Sequence, residues 1–135
     1  MLHGDLTDRV VGACYRVYDR LGFGFLESVY RNAVANELRR CGINFEREVP
    51  IDVWDVGERV GHFRADFFIE GKVILEIKAS QSLCEADRKQ VLNYLRGTPI
   101  EVALLMNFGE KPKLERLIYT NNRKPGLVSS SSVGP

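Results

Sequence analysis

The sequence predicts one α/β domain: a mixed sheet flanked by helices. Three observations predict it. Two stretches with apolar residues at helical spacing open the chain, one from Leu6 to Leu21 and one from Leu26 to Cys41. Three strand-like runs separated by short turn signals follow between Phe45 and Lys78. A third helical stretch then leads into Ile100–Met106, an almost wholly apolar run suited to a central strand covered on both faces.

The elements follow in chain order. Asp5 is the expected N-cap of the first helix, and Asp8 adds charge to its first turn. Leu6, Val10, Ala13, Cys14, Val17 and Leu21 mark its apolar face, and the helix should run to about Asp19 before Gly22-Phe23-Gly24 stops it. The second helix is closed by Gly42. At about 100° per residue, Leu26, Val29, Tyr30, Ala33, Val34 and Leu38 form its buried stripe, with Glu27 inside it. Phe45–Val53 and Val60–Ile69 read as strands joined by the turn Asp55-Val56-Gly57-Glu58, and Lys72–Lys78 as a third. The third helix spans about Glu85–Arg96 and ends at Gly97-Thr98-Pro99. A helix between the third strand and Ile100–Met106 implies a crossover and a parallel pair. Leu114–Tyr119 is the last strand. Residues 1–123 make the domain; 124–135, rich in Pro, Gly and Ser, read as a disordered tail.

Bulk composition narrows the function. The 135 residues suit one hydrophobic core, and 44% hydrophobic with 27% charged residues is ordinary for a globular chain. No apolar run approaches the roughly 20 residues that cross a bilayer, and Met1–Asp5 lacks the basic and apolar regions of a signal peptide. A cytoplasmic protein without membrane contact is expected. Cys14, Cys41 and Cys84 lack the spacing of a zinc knuckle or redox motif and read as reduced thiols. A net charge of +1 gives no global attraction to nucleic acid, so a homodimer or protein partner would have to extend any basic surface.

The chemistry concentrates in Ile74-Leu75-Glu76-Ile77-Lys78 and in Asp66. Side chains alternate along a strand, so Glu76 and Lys78 share a face. A three-residue loop, Glu70-Gly71-Lys72, opposes Ile69 to Val73, Phe67 to Leu75 and Asp66 to Glu76. That register gathers Phe67, Ile69, Val73, Leu75 and Ile77 on one face, and Arg64, Asp66, Glu76 and Lys78 on the other. Two adjacent carboxylates repel, and a divalent cation relieves them. Mg²⁺, with Mn²⁺ as a substitute, favours such oxygen donors and keeps positions for water and phosphate. Lys78 is then placed to orient an attacking water or to neutralise charge on phosphate. The plainer reading is a cross-strand salt bridge that pins the register. Glu27, an acid among apolar neighbours, is a candidate third carboxylate; a favourable helix-dipole position is its plainer reading. Tyr30 reads as a carboxylate partner or a core aromatic. Gln90 and Tyr94, one turn apart on the third helix, read as phosphate contacts or boundary residues. His62 reads as a rim residue near phosphate, and Trp54 as a hairpin or core aromatic.

These residues resemble a known family. Gly24-Phe25-Leu26-Glu27-Ser28-Val29-Tyr30 is similar to the signature of the small GxxExxY proteins of the PD-(D/E)XK nuclease-like superfamily. The likeness continues through Arg64-Ala65-Asp66, Leu75-Glu76-Ile77-Lys78-Ala79, Gln90 with Asn93-Tyr94-Leu95, and Leu104-Leu105-Met106-Asn107-Phe108-Gly109. It implies a restriction-endonuclease-like α-β-β-β-α-β core. It implies that Asp66, Glu76 and the backbone carbonyl of Ile77 hold Mg²⁺, with Glu27 as an additional acid. It implies Lys78 and Gln90 as further catalytic residues, and Tyr30, Arg64, Gln90 and Tyr94 as substrate contacts. One departure is visible: where the family often has a histidine three residues before the glutamine, this chain has Asp87. The implied function is a metal-dependent nuclease acting on DNA or RNA. The alternative is a catalytically silent module that keeps the fold for nucleic-acid or protein binding.

Overall fold

The computed structural model describes residues 1–124, and residues 125–135, the rest of the expected tail, lie outside the described residues. In chain order the elements are α1 (Gly4–Leu21), α2 (Glu27–Arg40), β1 (Phe45–Asp55), β2 (Glu58–Ile69), β3 (Val73–Lys78), α3 (Glu85–Arg96), β4 (Val102–Asn107) and β5 (Lys113–Ile118). The strands lie in one sheet in the order β1-β2-β3-β4-β5. Among the described residues only β3 and β4 run parallel, joined through α3, so the mixed α/β architecture is the one expected. Lys124, assigned by sequence to the tail, is buried, and its Nζ donates to Thr98 O at 2.9 Å and Ile100 O at 2.8 Å.

The helices divide between two cores. Val10, Ala13, Cys14 and Val17 of α1 and Tyr30, Val34, Ala35 and Leu38 of α2 pack on Phe67, Ile69, Leu75, Leu104 and Met106. Val91, Tyr94 and Leu95 of α3 pack on Ile51, Ala65, Ile74, Ala103 and Leu105. Each fully buried aliphatic side chain contributes about 1.5–3 kcal/mol through removal from water. β4 is buried along its whole length because it carries helices on both faces.

Two helix details differ from expectation. His3, in the left-handed region at φ 53°, precedes α1, and Asp5 lies within the first turn instead of capping it. In α2 the buried face is Tyr30, Val34, Ala35, Glu37 and Leu38, while Leu26 is 76% exposed and Val29 36%. The cause is Glu37, 4% exposed, whose carboxylate accepts from Arg16 at 2.8 Å and Arg20 at 2.8 Å. Those two α1 guanidiniums turn the α2 face holding Ala35 and Glu37 inward, and the Arg16 hydrogen bond holds the Glu37 carboxyl below its usual range.

The β2–β3 hairpin has the three-residue loop: Ile69 opposes Val73 and Phe67 opposes Leu75. Glu70 (φ 53°) and Gly71 (φ 68°) take the left-handed conformations this loop needs, and Lys72 N donates to Ile69 O at 2.9 Å. Alternation does not continue along β2, however. Phe67 and Ile69 face α1 and α2, whereas Phe63 and Ala65 face α3. β1 does the same: Phe45 and Arg47 lie against Phe67, but Ile51 packs under α3. Both strands turn over at the same level, where Glu48 and Asp66 are the pair missing from a register that is unbroken from Phe45–Ile69 to Val53–Gly61. Glu48 sits at φ 53°, a conformation that costs a residue with a Cβ about 1–2 kcal/mol. Arg64 consequently points to the face opposite Phe63 and Ala65, which corrects the expectation that it joins Glu76 and Lys78.

Candidate active site

The β2–β3 ladder stops at Phe67–Leu75, and two acidic side chains take over beyond it. Asp66 N donates to Glu76 Oε1 at 3.0 Å, and Ile77 N donates to Asp66 Oδ2 at 2.7 Å. Each carboxylate thus uses one oxygen to satisfy backbone at the mouth of the opened ladder. Asp66 Oδ1 and Glu76 Oε2 take no hydrogen bond among the described residues. Asp66 is partly buried and Glu76 is 5% exposed. Burial, and then the charge of Asp66, push the Glu76 carboxyl up to about 8; burial also raises Asp66. Lys78, half-buried on the same face of β3 as Glu76, acts on both acids and favours their charged forms.

The other expected residues are distributed unevenly. Glu27 is not in the buried stripe; its side chain is 41% exposed and takes a 2.7 Å ion pair from Arg31. Its charge still reaches Asp66 and Glu76, so it borders the pair. Tyr30, expected as a substrate contact or core residue, is core: it is fully buried, stacks on Phe108 at 4.4 Å, and donates to Gly22 O at 2.6 Å. Tyr94 is 2% exposed, and its hydroxyl is pushed up to about 12 by burial and then by Glu76 and Asp66, which places it beside the acids. Gln90 is exposed, one turn away on α3, in a groove with Phe63, Ala86 and Asn93. Asp87 caps α3, accepting from Cys84 N at 3.0 Å. His62 pairs with Asp52 at 2.5 Å on the outer hairpin.

Sequence reasoning gave no role to the residue that fixes the chain after Lys78. Asn107, opposite Lys78 in the parallel ladder and 2% exposed, accepts from Ser80 N and donates to Ser80 O, both at 3.0 Å. Phe108 N donates to Lys78 O at 2.8 Å. The motif Asn107-Phe108-Gly109 was visible; its side-chain partner, Ser80, was not. Gly109 completes the clasp, since a Cβ there would stand 2.7 Å from Ser80 O. Gly109→Ala is therefore expected to lower stability by about 1–3 kcal/mol, read as a reduced Tm.

The order α-β-β-β-α-β, with acids at the open mouth of β2–β3, meets a match to a family model over residues 4–117. The chain belongs to the PD-(D/E)XK nuclease superfamily. The (D/E)XK of the superfamily's name reads here Glu76-Ile77-Lys78, and Asp66 follows Ala65 where the name has proline. The crystal structure of SSO0001 shares the fold, with a TM-score of 0.53 and 20% identity over 87% of this chain. The chain spans 59% of that protein's length. No curated protein matches the sequence. Among the described residues no helix is long and apolar enough to cross a membrane.

Among the described residues, no three His, Cys, Asp or Glu side chains form a metal cage, so the expected convergence of Glu27, Asp66 and Glu76 on one ion is not formed. Arg31 holds the Glu27 carboxylate instead. The remaining donor set does suit a small divalent cation. Asp66 and Glu76 offer hard oxygens whose mutual repulsion a cation would relieve, and Mg²⁺ needs only one or two protein carboxylates.

Proposed function

We propose that the protein is a divalent-metal-dependent nuclease that hydrolyses phosphodiester bonds in DNA or RNA, and a member of the GxxExxY group. The observation that carries this reading is the pairing of Asp66 with Glu76 beside Lys78 at the open end of the β2–β3 ladder. Asp66 Oδ1 and Glu76 Oε2, with the carbonyl of Ile77, would hold Mg²⁺ or Mn²⁺, and Glu27 borders the same space. The cation, when bound, supplies Lewis acidity to the scissile phosphate.

The chain's own groups supply position and charge. Lys78 orients the attacking water and donates to a phosphate oxygen as negative charge develops there. The water oxygen forms the new bond to phosphorus and gives up a proton to solvent, the bond to the leaving sugar oxygen breaks, and that oxygen takes a proton from solvent. Gln90 and Tyr94 lie on the α3 side of the site, where Gln90 is available to bind phosphate. Ile77 N fixes Asp66, so one acid is oriented before substrate arrives. The protein acts in the cytoplasm.

A net charge of +1 favours the second reading, a catalytically silent module binding nucleic acid or protein, and it also favours a homodimer or protein partner that extends the basic surface. Incubation with labelled DNA and RNA panels in Mg²⁺, Mn²⁺ or chelator separates the two. Nuclease function predicts metal-dependent cleavage that falls about 10²–10⁴-fold in Lys78→Ala and disappears in Asp66→Ala. Nucleic-acid binding without cleavage, and without Mn²⁺ binding that depends on Asp66, would establish the silent module.

A further inference from the structure

The inversion of β1 and β2 reaches the active site through one backbone position outside it. On one side of the Glu48–Asp66 level, Arg47 opposes Phe67 and both lie toward α1 and α2. On the other side, Val49 opposes Ala65 and Ile51 opposes Phe63, toward α3. The pairing register is the same before and after, so no residue is inserted. The strands exchange faces while staying aligned.

Asp66 occupies the crossover point. Strict alternation from Phe67 would lay its side chain flat beneath α3, in the row of Phe68 and Ile74. In the inverted strand its carboxylate instead turns toward β3 and accepts from Ile77 N at 2.7 Å. Only one of the two residues at this level has positive φ, and that residue is Glu48, at 53°. Its side chain is exposed and makes no hydrogen bond or ion pair among the described residues, so no contact of its own explains the conformation. The strand pairs on either side hold it there.

We infer that Glu48 is a positioning residue for Asp66: its left-handed backbone turns the β1–β2 pair over and so presents the Asp66 carboxylate to Ile77 N and Glu76. The metal arm of the test rests on the nuclease reading; the amide arm does not. If the backbone conformation matters and the side chain does not, glycine should preserve the site and a β-branched residue should disturb it.

The experiment compares wild type, Glu48→Gly, Glu48→Asn and Glu48→Val by amide exchange at Ile77 and by calorimetric titration with Mn²⁺. Glu48→Gly is expected to keep Ile77 protection and Mn²⁺ affinity within about twofold of wild type and to raise Tm. Glu48→Val is expected to lose at least about tenfold in both. Glu48→Asn, which tolerates positive φ, should stay near wild type and answers the question if the valine variant fails to fold. Unchanged Ile77 protection in folded Glu48→Val would overturn the inference, as would a loss in Glu48→Gly and Glu48→Asn equal to that in Glu48→Val. Absence of Asp66-dependent Mn²⁺ binding in wild type would count against the nuclease reading alone, and Ile77 exchange would still decide the role of Glu48.

Discussion

Glu76→Gln is expected to eliminate metal-dependent cleavage and, in the metal-free protein, to flatten the pH dependence of stability. Both effects have one source. Folding places the Glu76 carboxyl where burial and Asp66 raise its pKa from 4.5 to about 8. The native state therefore holds a proton that the unfolded chain releases across that interval. The unfolded state binds fewer protons there, so stability falls as pH rises from 4.5 to about 8. At about 1.4 kcal/mol for each tenfold difference in proton affinity, the loss is on the order of 3–5 kcal/mol. Asp66, raised in the same direction, adds to the slope. Glutamine has no proton to release, so the variant should lose Glu76's share of the slope, read by thermal melts across pH. Saturating Mg²⁺ above pH 8 should restore wild-type Tm and leave Glu76→Gln unmoved, because the cation compensates only the ionised carboxylate. A wild-type Tm that rises through this interval without metal would contradict the assignment.

Tyr30→Ala is expected to cost about 3–5 kcal/mol, a large part of the ~5–15 kcal/mol total typical of such a domain. The ring is fully buried, stacks on Phe108 at 4.4 Å and meets Phe25 edge-on at 6.1 Å. Its hydroxyl fixes the carbonyl of Gly22 at the end of α1. Tyr30→Phe keeps the ring but removes that hydrogen bond and the longer one the hydroxyl accepts from Phe25 N at 3.4 Å, and should cost about 1–3 kcal/mol by leaving part-buried backbone groups unpaired. Chemical denaturation of both variants measures the difference. A pure substrate contact would give neither loss; it would weaken substrate binding while leaving the midpoint of unfolding in place.

The contrast between Tyr30 and Asp66 shows what was legible in the sequence. Element order, the β2–β3 register and the parallel β3–β4 pair follow from local periodicity and turn chemistry, which act over a few residues. The register brings Asp66 close to Glu76, but the ladder ends at Phe67–Leu75 and their contact runs through side chains, which the register alone does not reveal. Arg64 was misplaced because Phe63, Ala65, Phe67 and Ile69 share one parity, and parity suggests one face. The chain divides them between two cores, and the pivot is an ordinary-looking glutamate whose φ no pattern reveals. The buried side of α2 was misread for another reason. Glu37 reads as a solvated charge until two arginines from α1 arrive, and those contacts span 21 and 17 positions in the sequence. Asn107 is similar, since its value lies in reaching Ser80 across the parallel ladder.

The long β1–β2 hairpin has one further consequence. Among the described residues β3 pairs with β2 only at Phe67–Ile69, so beyond Asp66 the hairpin continues there as a two-stranded ribbon with no third neighbour. Such ribbons are marginal in water by themselves. This one rests on α3, through Phe63 against Tyr94 at 5.1 Å and Val53 packed over Gly97. α3 therefore serves as a splint for the ribbon as well as a cover for the central strands. Fraying of α3 is expected to loosen the outer ribbon before the face covered by α1 and α2.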